Sequence, residues 1–567
     1  MKWLITTALC TFMGALTVYG QSCRVPVVPV EFSDEGFSDK SKNVDSKLSR
    51  AQKYFNDQFS PNQNFVFEQL PTVILSRERA WYGNNSTTLK DEHIDQAVRE
   101  VCAALGNRDL SMYDADGDGT IDRLCLITAG GSEADGDGAA FIWPQQAFMS
   151  DRGGVCTAGG KTVDSFTVCP EKAGVGTFCH EFAHTLGLQD LYDTDGNGSG
   201  GSSKGVWGSL SLMDKGNANG GGNTPPNFSS IELDQLGLGR CIIASEGNIT
   251  LHPIGESHEY MRMDGNTNGE YFLFECRANE GWDTYVGGSG LIVYHIDRSD
   301  NNSWYSDLYN TNLSARERWR LNQVNCRPDH PCAAVLEAVS NTAYPRFIFF
   351  PQENHKAIGS ETDPALRFWN GTTADLAINE ITKNADGSVS FDVITPIVLG
   401  VISVFQDAAI VSWTVDKSLL LKQIEVSWQS GGSVLTPRLD HCYYVIAGKL
   451  EPATQYRVSV KLVCYDGQTF SKSVEFTTKS AMKGGRPFIY LNTAEKLKDG
   501  SLQAGSSVPL HVYNATDAKA VEWFFDDKRI TPDTDGYWHP EKSGTLKAKV
   551  WYSDGSTDII VKKLRVK

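Results

Sequence analysis

Hydrophobic positions follow two different periods in the N-terminal third of the chain. Apolar residues recur at helical spacing in Lys47–Phe59 and Glu92–Leu105, which predicts two amphipathic helices. Short apolar runs typical of strands occupy Arg24–Phe32, Phe65–Leu75 and Leu124–Thr128. Strands and helices therefore alternate along this part of the chain, and the pattern predicts an α/β domain.

Farther along, the pattern changes to strands alone. Leu238–Val393 contains short strand-like runs separated by turn residues, which predicts a β-rich subdomain. Leu450–Val460 resembles the fibronectin type III signature, in which Tyr456 marks the corner between two strands. Trp413, in an earlier strand, is then a core residue. The last segment, Arg486–Lys567, predicts a second sandwich of immunoglobulin-like type.

One stretch of the α/β region has the pattern of a metal-binding helix. His180 and His184 are four positions apart, so on a helix they lie on one face and can bind one ion. Glu181 lies beside that face and can act as the general base for a water molecule. Gly187 can adopt the positive φ that ends a helix, and Asp190 follows as a third ligand. Three protein ligands and one open position are typical of a catalytic zinc site.

A helix with two surface histidines is the alternative interpretation of His180 and His184. Gly187 and Asp190 speak against it, because they complete the extended motif His-Glu-x-x-His-x-x-Gly-x-x-His/Asp. Met213 stands downstream, and a methionine in a turn beneath the zinc is a second mark of the metzincin proteases. Together these residues predict a zinc hydrolase.

Two acidic loops are candidates for structural calcium sites, because alternating carboxylates and glycines can curl around a hard cation. The candidate ligands in the first loop are Asp114, Asp116, Asp118, Thr120 and Asp122, and those in the second are Asp193, Asp195 and Asn197. An EF-hand needs glutamate at the twelfth position, where Cys125 stands, so the first loop is predicted to be of another type. The alternatives are a solvated acidic turn for the first loop and a flexible Gly/Ser-rich segment for the second.

Charge and targeting signals limit the environment in which the chain works. The net charge is −17 with no offsetting basic patch, which argues against nucleic-acid partners. Met1–Gly20 combines Lys2, an apolar stretch and a small-residue exit, and it predicts a secretory signal; an uncleaved anchor is the alternative. No later stretch is apolar enough to span a bilayer. We therefore expect a secreted protein, free or associated with a cell surface, without a membrane span after signal removal.

The number of cysteines is consistent with an exported protein. Of the 13 cysteines, all but Cys10 follow the signal, and an even number in an exported chain permits disulfides. Local spacing favours the pairs Cys326–Cys332, Cys156–Cys169 and Cys442–Cys464, although spacing does not determine the pairing.

A series of motifs occurs in a fixed order along the chain. The motifs are Val27–Asp34, Ala80–Gly83, Asp114–Asp122, Ile142–Pro144, Thr177–Asp193, Val206–Met213, Glu270–Arg277, Gly290–Asp297 and Val324–Cys332. Their order resembles the immune inhibitor A-type zinc metalloproteases, secreted bacterial members of the metzincin group, over roughly Cys23–Val393. The resemblance implies that His180, His184 and Asp190 bind zinc. It also implies that Glu181 is the general base and that the first acidic loop binds calcium.

The sequence thus predicts a multidomain protein with an α/β metzincin-like catalytic domain, a β-rich subdomain and two all-β sandwiches. The predicted ranges are signal peptide 1–20, catalytic domain 21–237, β-rich subdomain 238–394, fibronectin type III-like domain 395–480 and immunoglobulin-like domain 481–567. The predicted function is a zinc endopeptidase that cleaves extracellular proteins or peptides, with one catalytic zinc and structural calcium. The C-terminal modules are candidates for binding a glycan or a cell-surface ligand. The alternative function is an adhesin with a degenerate metzincin-like domain, and the intact zinc motif speaks against it.

Overall fold

The computed structural model describes residues 22–38, 42–87, 89–196, 198–265, 267–301, 303–417, 419–437, 442–446, 450–480, 485–491, 497, 499–515, 517–533 and 537–567. The predicted signal peptide and Asn197 of the second acidic loop lie outside these residues. Within them, no helix combines the length and the hydrophobicity needed to cross a membrane.

Helices and strands alternate in the N-terminal part, and strands dominate thereafter. The α-helices are α1 (Lys42–Phe59), α2 (Arg79–Gly83), α3 (Ile94–Leu105), α4 (Val175–His184), α5 (Asn219–Gly222), α6 (Ser230–Leu236), α7 (Ile254–Ser257) and α8 (Ala315–Arg320). Short 3-10 helices occupy Ser111–Tyr113, Met149–Arg152, Gly198–Gly200, Gly208–Leu210, Lys215–Ala218, Gly281–Tyr285 and Pro345–Phe347. The strands up to residue 394 are β1 (Ser22–Glu31), β2 (Asn64–Gln69), β3 (Val73–Ile74), β4 (Leu124–Thr128), β5 (Gln145–Phe148), β6 (Cys156–Ala158), β7 (Lys161–Val163), β8 (Ser165–Pro170), β9 (Arg240–Ile243), β10 (Gly247–Leu251), β11 (Glu259–Asp264), β12 (Glu270–Arg277), β13 (Gly290–Asp297), β14 (Ser303–Ser306), β15 (Thr311–Ser314), β16 (Ala333–Val335), β17 (Ala377–Lys383) and β18 (Val389–Ile394). The later strands are β19 (Ile397–Val404), β20 (Ala409–Val415), β21 (Leu421–Trp428), β22 (Gly431–Leu435), β23 (Tyr443–Ile446), β24 (Gln455–Cys464), β25 (Thr469–Thr477), β26 (Phe488–Ile489), β27 (Val508–Pro509), β28 (Val512–Tyr513), β29 (Ala518–Phe525), β30 (Lys528–Ile530), β31 (Tyr537–Trp538), β32 (Gly544–Tyr552) and β33 (Thr557–Leu564).

The chain forms two compact units. The first contains the described residues up to 356 together with 368–370 and 379–393, and the second contains 357–367, 371–378 and the described residues from 394 onward. The multidomain, β-rich architecture is therefore confirmed, whereas the individual predicted domain boundaries remain predictions.

The first unit is built on a mixed sheet with strand order β2-β1-β4-β8-β5, in which β3 also pairs with β1. All its pairings are parallel except that of β5, which lies at one edge antiparallel to β8. Every residue of β4 is buried, as expected for the central strand of a parallel sheet covered on both faces. A second, five-stranded sheet has the order β16-β13-β12-β11-β9, and a three-stranded sheet has the order β10-β18-β17.

Aromatic residues fix helix α4, which carries the histidine motif. The Phe182 ring lies 4.8 Å from that of Phe55 on α1 and 4.9 Å from that of Phe67 on β2, and Phe178 lies 5.4 Å from Phe67. Burial of each such side chain contributes roughly 1.5–3 kcal/mol. The apolar side of α4 is thereby anchored to the sheet and to α1, which holds the histidines in one orientation.

The second unit begins with two antiparallel sheets of orders β19-β20-β23 and β22-β21-β24-β25, which share one hydrophobic core. Trp413 and Tyr456 are buried in this core, and the Tyr456 hydroxyl accepts a hydrogen bond of 2.8 Å from the backbone N–H of Glu451. A tyrosine that bonds back to the chain a few residues upstream is the corner that the fibronectin type III signature predicts, and that sandwich is confirmed. The residues beyond it form a four-stranded sheet β30-β29-β32-β33 and two small strand pairs, and the immunoglobulin-like assignment remains a prediction.

Two predicted features are wrong in detail. The strand predicted over Phe65–Leu75 is two strands, β2 and β3, because Pro71 lacks the N–H that a continuous ladder requires. The disulfide predicted between Cys156 and Cys169 is also wrong. The sulfur of Cys156 lies 2.8 Å from that of Cys102 on α3, while Cys169 is a buried thiol on β8. Cys326, Cys332 and Cys464 are reduced thiols in this structure, and the pairs Cys326–Cys332 and Cys442–Cys464 remain predictions.

Candidate metal centre

The end of helix α4 and the turn that follows it position the predicted ligands. Helix α4 ends at His184, and Gly187 has a φ of 97°, the left-handed conformation that glycine adopts without strain. The chain reverses there, and the carbonyl oxygen of Leu188 accepts a hydrogen bond of 2.9 Å from His184 Nδ1. The predicted role of Gly187 as the helix stop is thus visible in the backbone, and the reversal directs Asp190 toward the histidines.

Backbone carbonyls determine which nitrogen of each histidine is available. His180 Nδ1 donates to the carbonyl oxygen of Leu212 at 2.8 Å, and His184 Nδ1 donates to that of Leu188. A carbonyl can only accept, so both Nδ1 atoms carry protons, and each ring in its neutral form presents an Nε2 lone pair. The two rings lie 4.9 Å apart at an angle of 87°. In this tautomer Nε2 can bind a metal ion.

Three atoms with lone pairs converge between helix α4 and the following loop. Asp190 Oδ1 lies 3.1 Å from His180 Nε2 and 3.4 Å from His184 Nε2, and Asp190 is buried. Burial lowers the pKa of His180, but the Asp190 carboxylate outweighs it and raises that pKa to about 9. Burial opposes the charged form of Asp190, yet the two histidines hold its pKa below the usual range. The cluster therefore attracts positive charge, and a divalent cation satisfies all three atoms at once.

Glu181 lies next to this cluster without belonging to it. Burial raises the pKa of its carboxyl, the two histidines lower it, and a hydrogen bond from the backbone N–H of Gln146 also lowers it. Gln146 is on the edge strand β5. A carboxylate with a raised pKa beside a candidate metal site has the properties of a general base.

The segment around Met213 contacts His180 through its backbone. Met213 is fully buried, its carbonyl oxygen accepts a hydrogen bond from the N–H of Leu191, and its neighbour Leu212 accepts from His180. The Ser211 hydroxyl accepts from the N–H of Met213 at 3.0 Å and donates to the buried carboxylate of Glu232. Sequence reasoning identified Met213 by its motif but missed the Leu212 carbonyl, which has no side-chain signature.

Sequence reasoning also missed Asn322, which contacts Asp190 from the loop after α8. The two residues are 132 positions apart, and no short motif joins them. Tyr192 was missed as well; its ring lies parallel to that of His180 with centroids 6.4 Å apart, and its side chain is 39% exposed.

The first acidic loop brings the carboxylates of Asp114, Asp116 and Asp118 within 4.8 Å of one another. Asp114 Oδ1 is a buried oxygen that accepts no hydrogen bond within the described part of the chain, whereas Oδ2 accepts from Lys161 Nζ at 2.6 Å. Asp122 falls outside this group of three, and the backbone N–H of Thr120 donates to Asp118 Oδ1 at 2.7 Å. The donor set suits a hard cation, but the Lys161 ammonium already neutralises Asp114.

The second acidic loop groups Asp193 and Asp195 with the sulfur of Cys326. Asp193 Oδ1 accepts from the N–H of Asp195 at 3.1 Å, and Asp195 Oδ2 accepts from the Ser199 hydroxyl at 2.7 Å. Calcium prefers oxygen ligands, so a thiol in the group does not favour calcium there.

Comparison with known proteins finds a peptidase family model and curated relatives that match the N-terminal region. A family model described as the immune inhibitor A peptidase M6 catalytic domain matches residues 28–239. Pre-pro-metalloprotease PrtV of Vibrio cholerae serotype O1 is 30% identical over 231 residues, which cover 35% of this chain and 24% of PrtV. Immune inhibitor A of Bacillus thuringiensis subsp. alesti is 30% identical over 217 residues, covering 32% of this chain and 31% of that protein. The chain thus spans about a quarter to a third of the length of these curated relatives.

Solved structures add little to this identification. OgpA from Akkermansia muciniphila is 10% identical and covers 82% of this chain and 96% of its own, with a TM-score of 0.22. The fibronectin(III)-like modules of Clostridium thermocellum CbhA are 13% identical, cover 30% of this chain and 95% of their own, and have a TM-score of 0.13. Both scores are too low to support an argument about fold. The family model nonetheless spans every residue of the histidine–aspartate cluster, and residues 28–239 of this chain match the catalytic domain of the immune inhibitor A peptidase M6 family.

Proposed function

We propose that this protein is a zinc-dependent endopeptidase that acts on extracellular proteins or peptides. The observation that carries the proposal is the convergence of His180 Nε2, His184 Nε2 and Asp190 Oδ1 at the end of helix α4. The match of residues 28–239 to a peptidase family model supports it, and so do relatives named as a metalloprotease and as Immune inhibitor A. The catalytic domain is then expected to have the metzincin-like fold.

The residues of the cluster fit zinc better than other common cations. Two imidazole nitrogens and one carboxylate oxygen are a donor set of catalytic zinc sites, and calcium or magnesium prefers oxygen alone. His180, His184 and Asp190 would hold the ion, and when bound it supplies a Lewis acid that polarises a carbonyl group and acidifies water.

The chain itself supplies proton transfer and substrate alignment. Glu181 accepts a proton from the attacking water and delivers it to the leaving amine nitrogen, a role that suits a carboxyl whose pKa burial has raised. Within the described residues, strand β5 pairs only with β8, so its other edge can bind an extended peptide by main-chain hydrogen bonds. Because Gln146 of β5 bonds Glu181, a peptide on this edge would pass beside the general base.

Digestion of casein, followed by sequencing of the fragments, tests the proposed function. Internal cleavage that a zinc chelator stops is the expected result. Intact casein after prolonged incubation with the metal-loaded protein would argue instead for a binding protein.

Calcium binding by the first acidic loop is a separate proposal. Calcium at about 100 times its Kd would stabilise the fold by about 2.7 kcal/mol, so added calcium should raise the Tm of the zinc-loaded protein. Asp118→Asn should abolish the rise. Asp554→Asn is a matched control, because both carboxylates accept a hydrogen bond from the N–H two residues on, and Asp554 is outside the acidic loops. A Tm unaffected by calcium would show that Lys161 alone neutralises the loop.

Secretion and disulfide formation are proposed together. In an oxidising compartment, the Cys102 and Cys156 thiols, whose sulfur atoms lie 2.8 Å apart, would lose two protons and two electrons to a thiol–disulfide oxidoreductase. Peptide mapping of exported protein without reductant should yield the Cys102–Cys156 peptide, with Cys169 alkylated separately. Closing this loop should stabilise the fold by about 4 kcal/mol in the chain-entropy description. Separate alkylation of both Cys102 and Cys156 would contradict the pairing.

The domain ranges and the ligands of the C-terminal modules are also proposals. The buried core shared by β19–β25 supports an independent sandwich after residue 394. Binding of a glycan or a cell-surface ligand by these modules would bring the catalytic domain to its substrate, and a glycan array with the full chain measures it.

A further inference from the structure

Asn322 forms a reciprocal pair of hydrogen bonds with Asp190. Asn322 Nδ2 donates to Asp190 Oδ2 at 2.6 Å, and Asn322 Oδ1 accepts from the backbone N–H of Asp190 at 2.7 Å. A carboxylate can only accept and an N–H can only donate, so the orientation of the amide is determined by its two partners. One side chain thus fixes both the main chain and the carboxylate of a candidate ligand.

These contacts divide the two oxygens of Asp190 between different roles. Oδ2 is occupied by the amide, while Oδ1 is the oxygen that faces His180 Nε2 and His184 Nε2. The amide is neutral, so it orients the carboxylate without removing the negative charge that attracts a cation. A carboxylate that rotated freely would have to become ordered when it binds the cation, and that ordering costs entropy.

The backbone around Asn322 is itself held in place. Asn322 has a φ of 54°, a left-handed conformation that asparagine tolerates better than most residues. Its carbonyl oxygen accepts from the Thr194 hydroxyl at 2.5 Å, and Asn325 Nδ2 donates to the carbonyl oxygen of Leu191 at 2.7 Å. The preceding helix α8 starts with a capping box formed by Ser314 and Glu317. The loop after α8 therefore holds the backbone of Asp190–Thr194 in place through these hydrogen bonds.

We propose that Asn322 is a positioning residue of the metal centre, which orients Asp190 so that it binds the cation through Oδ1. This inference rests on the proposed zinc site. It places one determinant of metal affinity outside residues 28–239, in the predicted β-rich subdomain. Partners that orient metal ligands contribute about 10- to 100-fold in metal affinity.

Competition with a chromophoric chelator measures the zinc Kd of wild type, Asn322→Gly and a control. Glycine accepts the positive φ, so this variant deletes the amide without straining the backbone. Asn341→Gly is the matched control, because Asn341 is exposed and also has a positive φ, 57°. We expect Asn322→Gly to raise the zinc Kd about 10- to 100-fold and to change the absorption spectrum of the cobalt-substituted protein, and Asn341→Gly to leave both unchanged.

A second variant covers the case in which Asn322→Gly fails to fold, which a melting curve of the metal-free protein would show. Asn322→Asp keeps an acceptor for the N–H of Asp190 and tolerates the same φ, but it places a carboxylate against Asp190 Oδ2. It should weaken zinc binding at neutral pH. A wild-type zinc Kd in either folded variant would overturn the inference, whereas a wild-type protein that binds no zinc would overturn the proposed function itself.

Discussion

Replacing Glu181 with glutamine is expected to abolish peptide cleavage while zinc stays bound. The amide has the shape of the carboxylate but cannot accept the proton, and loss of a general base typically lowers kcat by about 10²- to 10⁴-fold. Zinc content should remain that of the wild type, because the atoms that converge on the candidate site belong to His180, His184 and Asp190. Initial rates on a fluorogenic peptide, with metal analysis of the same sample, measure both effects.

Glu246→Gln is the control for this substitution, because Glu246 is exposed and distant in sequence from the cluster. It should retain full activity. A Glu181→Gln protein that turns over at the wild-type rate would exclude Glu181 as the base, and loss of zinc from it would show that Glu181 contributes to the metal site.

Replacing His184 with alanine is expected to remove zinc and activity together. His184 supplies one of three converging atoms, and its other nitrogen is bonded to Leu188, so no neighbouring group can take its place without rearrangement. Two remaining ligands rarely hold zinc at the affinity of a catalytic site. Equilibrium dialysis against zinc and the casein assay measure the two losses.

The exposed His252 provides the matched control, since its side chain is 55% accessible. His252→Ala should bind zinc and cleave casein as the wild type does. Zinc retained at the wild-type Kd by His184→Ala would place the metal elsewhere, and the assignment of the site would fail.

The two variants separate binding from chemistry. In the proposed mechanism, His184→Ala loses both properties and Glu181→Gln loses one. An adhesin with a degenerate peptidase domain would show no difference between either variant and the wild type in the cleavage assay, because it would cleave nothing.

The sequence was sufficient for those parts of the site that depend on local geometry. His180, Glu181 and His184 lie within one helical turn, so helix periodicity alone places the two rings on one face. Gly187 and Asp190 follow within six residues of the helix end, and the positive φ of Gly187 is a property of the residue itself. Local rules therefore predicted the cluster of His180, His184 and Asp190 that the structure brings together.

Contacts between distant segments could not be predicted in the same way. Asn322 approaches Asp190 across 132 residues, and the Leu212 carbonyl that sets the His180 tautomer belongs to the backbone, which every residue shares. Cys156 contacts Cys102 instead of Cys169, which is nearer in sequence, because Cys169 lies on strand β8 inside the sheet. Such pairings depend on tertiary packing, on which sequence spacing carries no information.

In the fold as well, features that depend on local sequence were predicted, and features that depend on tertiary contacts were not. Leu124–Thr128 is a strand with the predicted bounds because five consecutive apolar residues are all buried. Helix α1 begins at Lys42, five residues before the predicted start, because helix ends depend on surrounding contacts more than on periodicity. The break between β2 and β3 follows from the sequence, because Pro71 has no backbone N–H to donate to a strand ladder. Apolar spacing alone does not reveal this break.

One zinc ion at His180, His184 and Asp190 is proposed to make this chain a peptidase. This proposal is tested most directly by preparing the metal-free full chain and titrating zinc while casein cleavage is followed. We predict no cleavage without metal, and a linear recovery of activity that reaches its plateau at one zinc per chain, with no recovery in Glu181→Gln. Full activity in the metal-free protein would exclude zinc from the mechanism, and one tightly bound zinc without any cleavage would exclude peptidase activity.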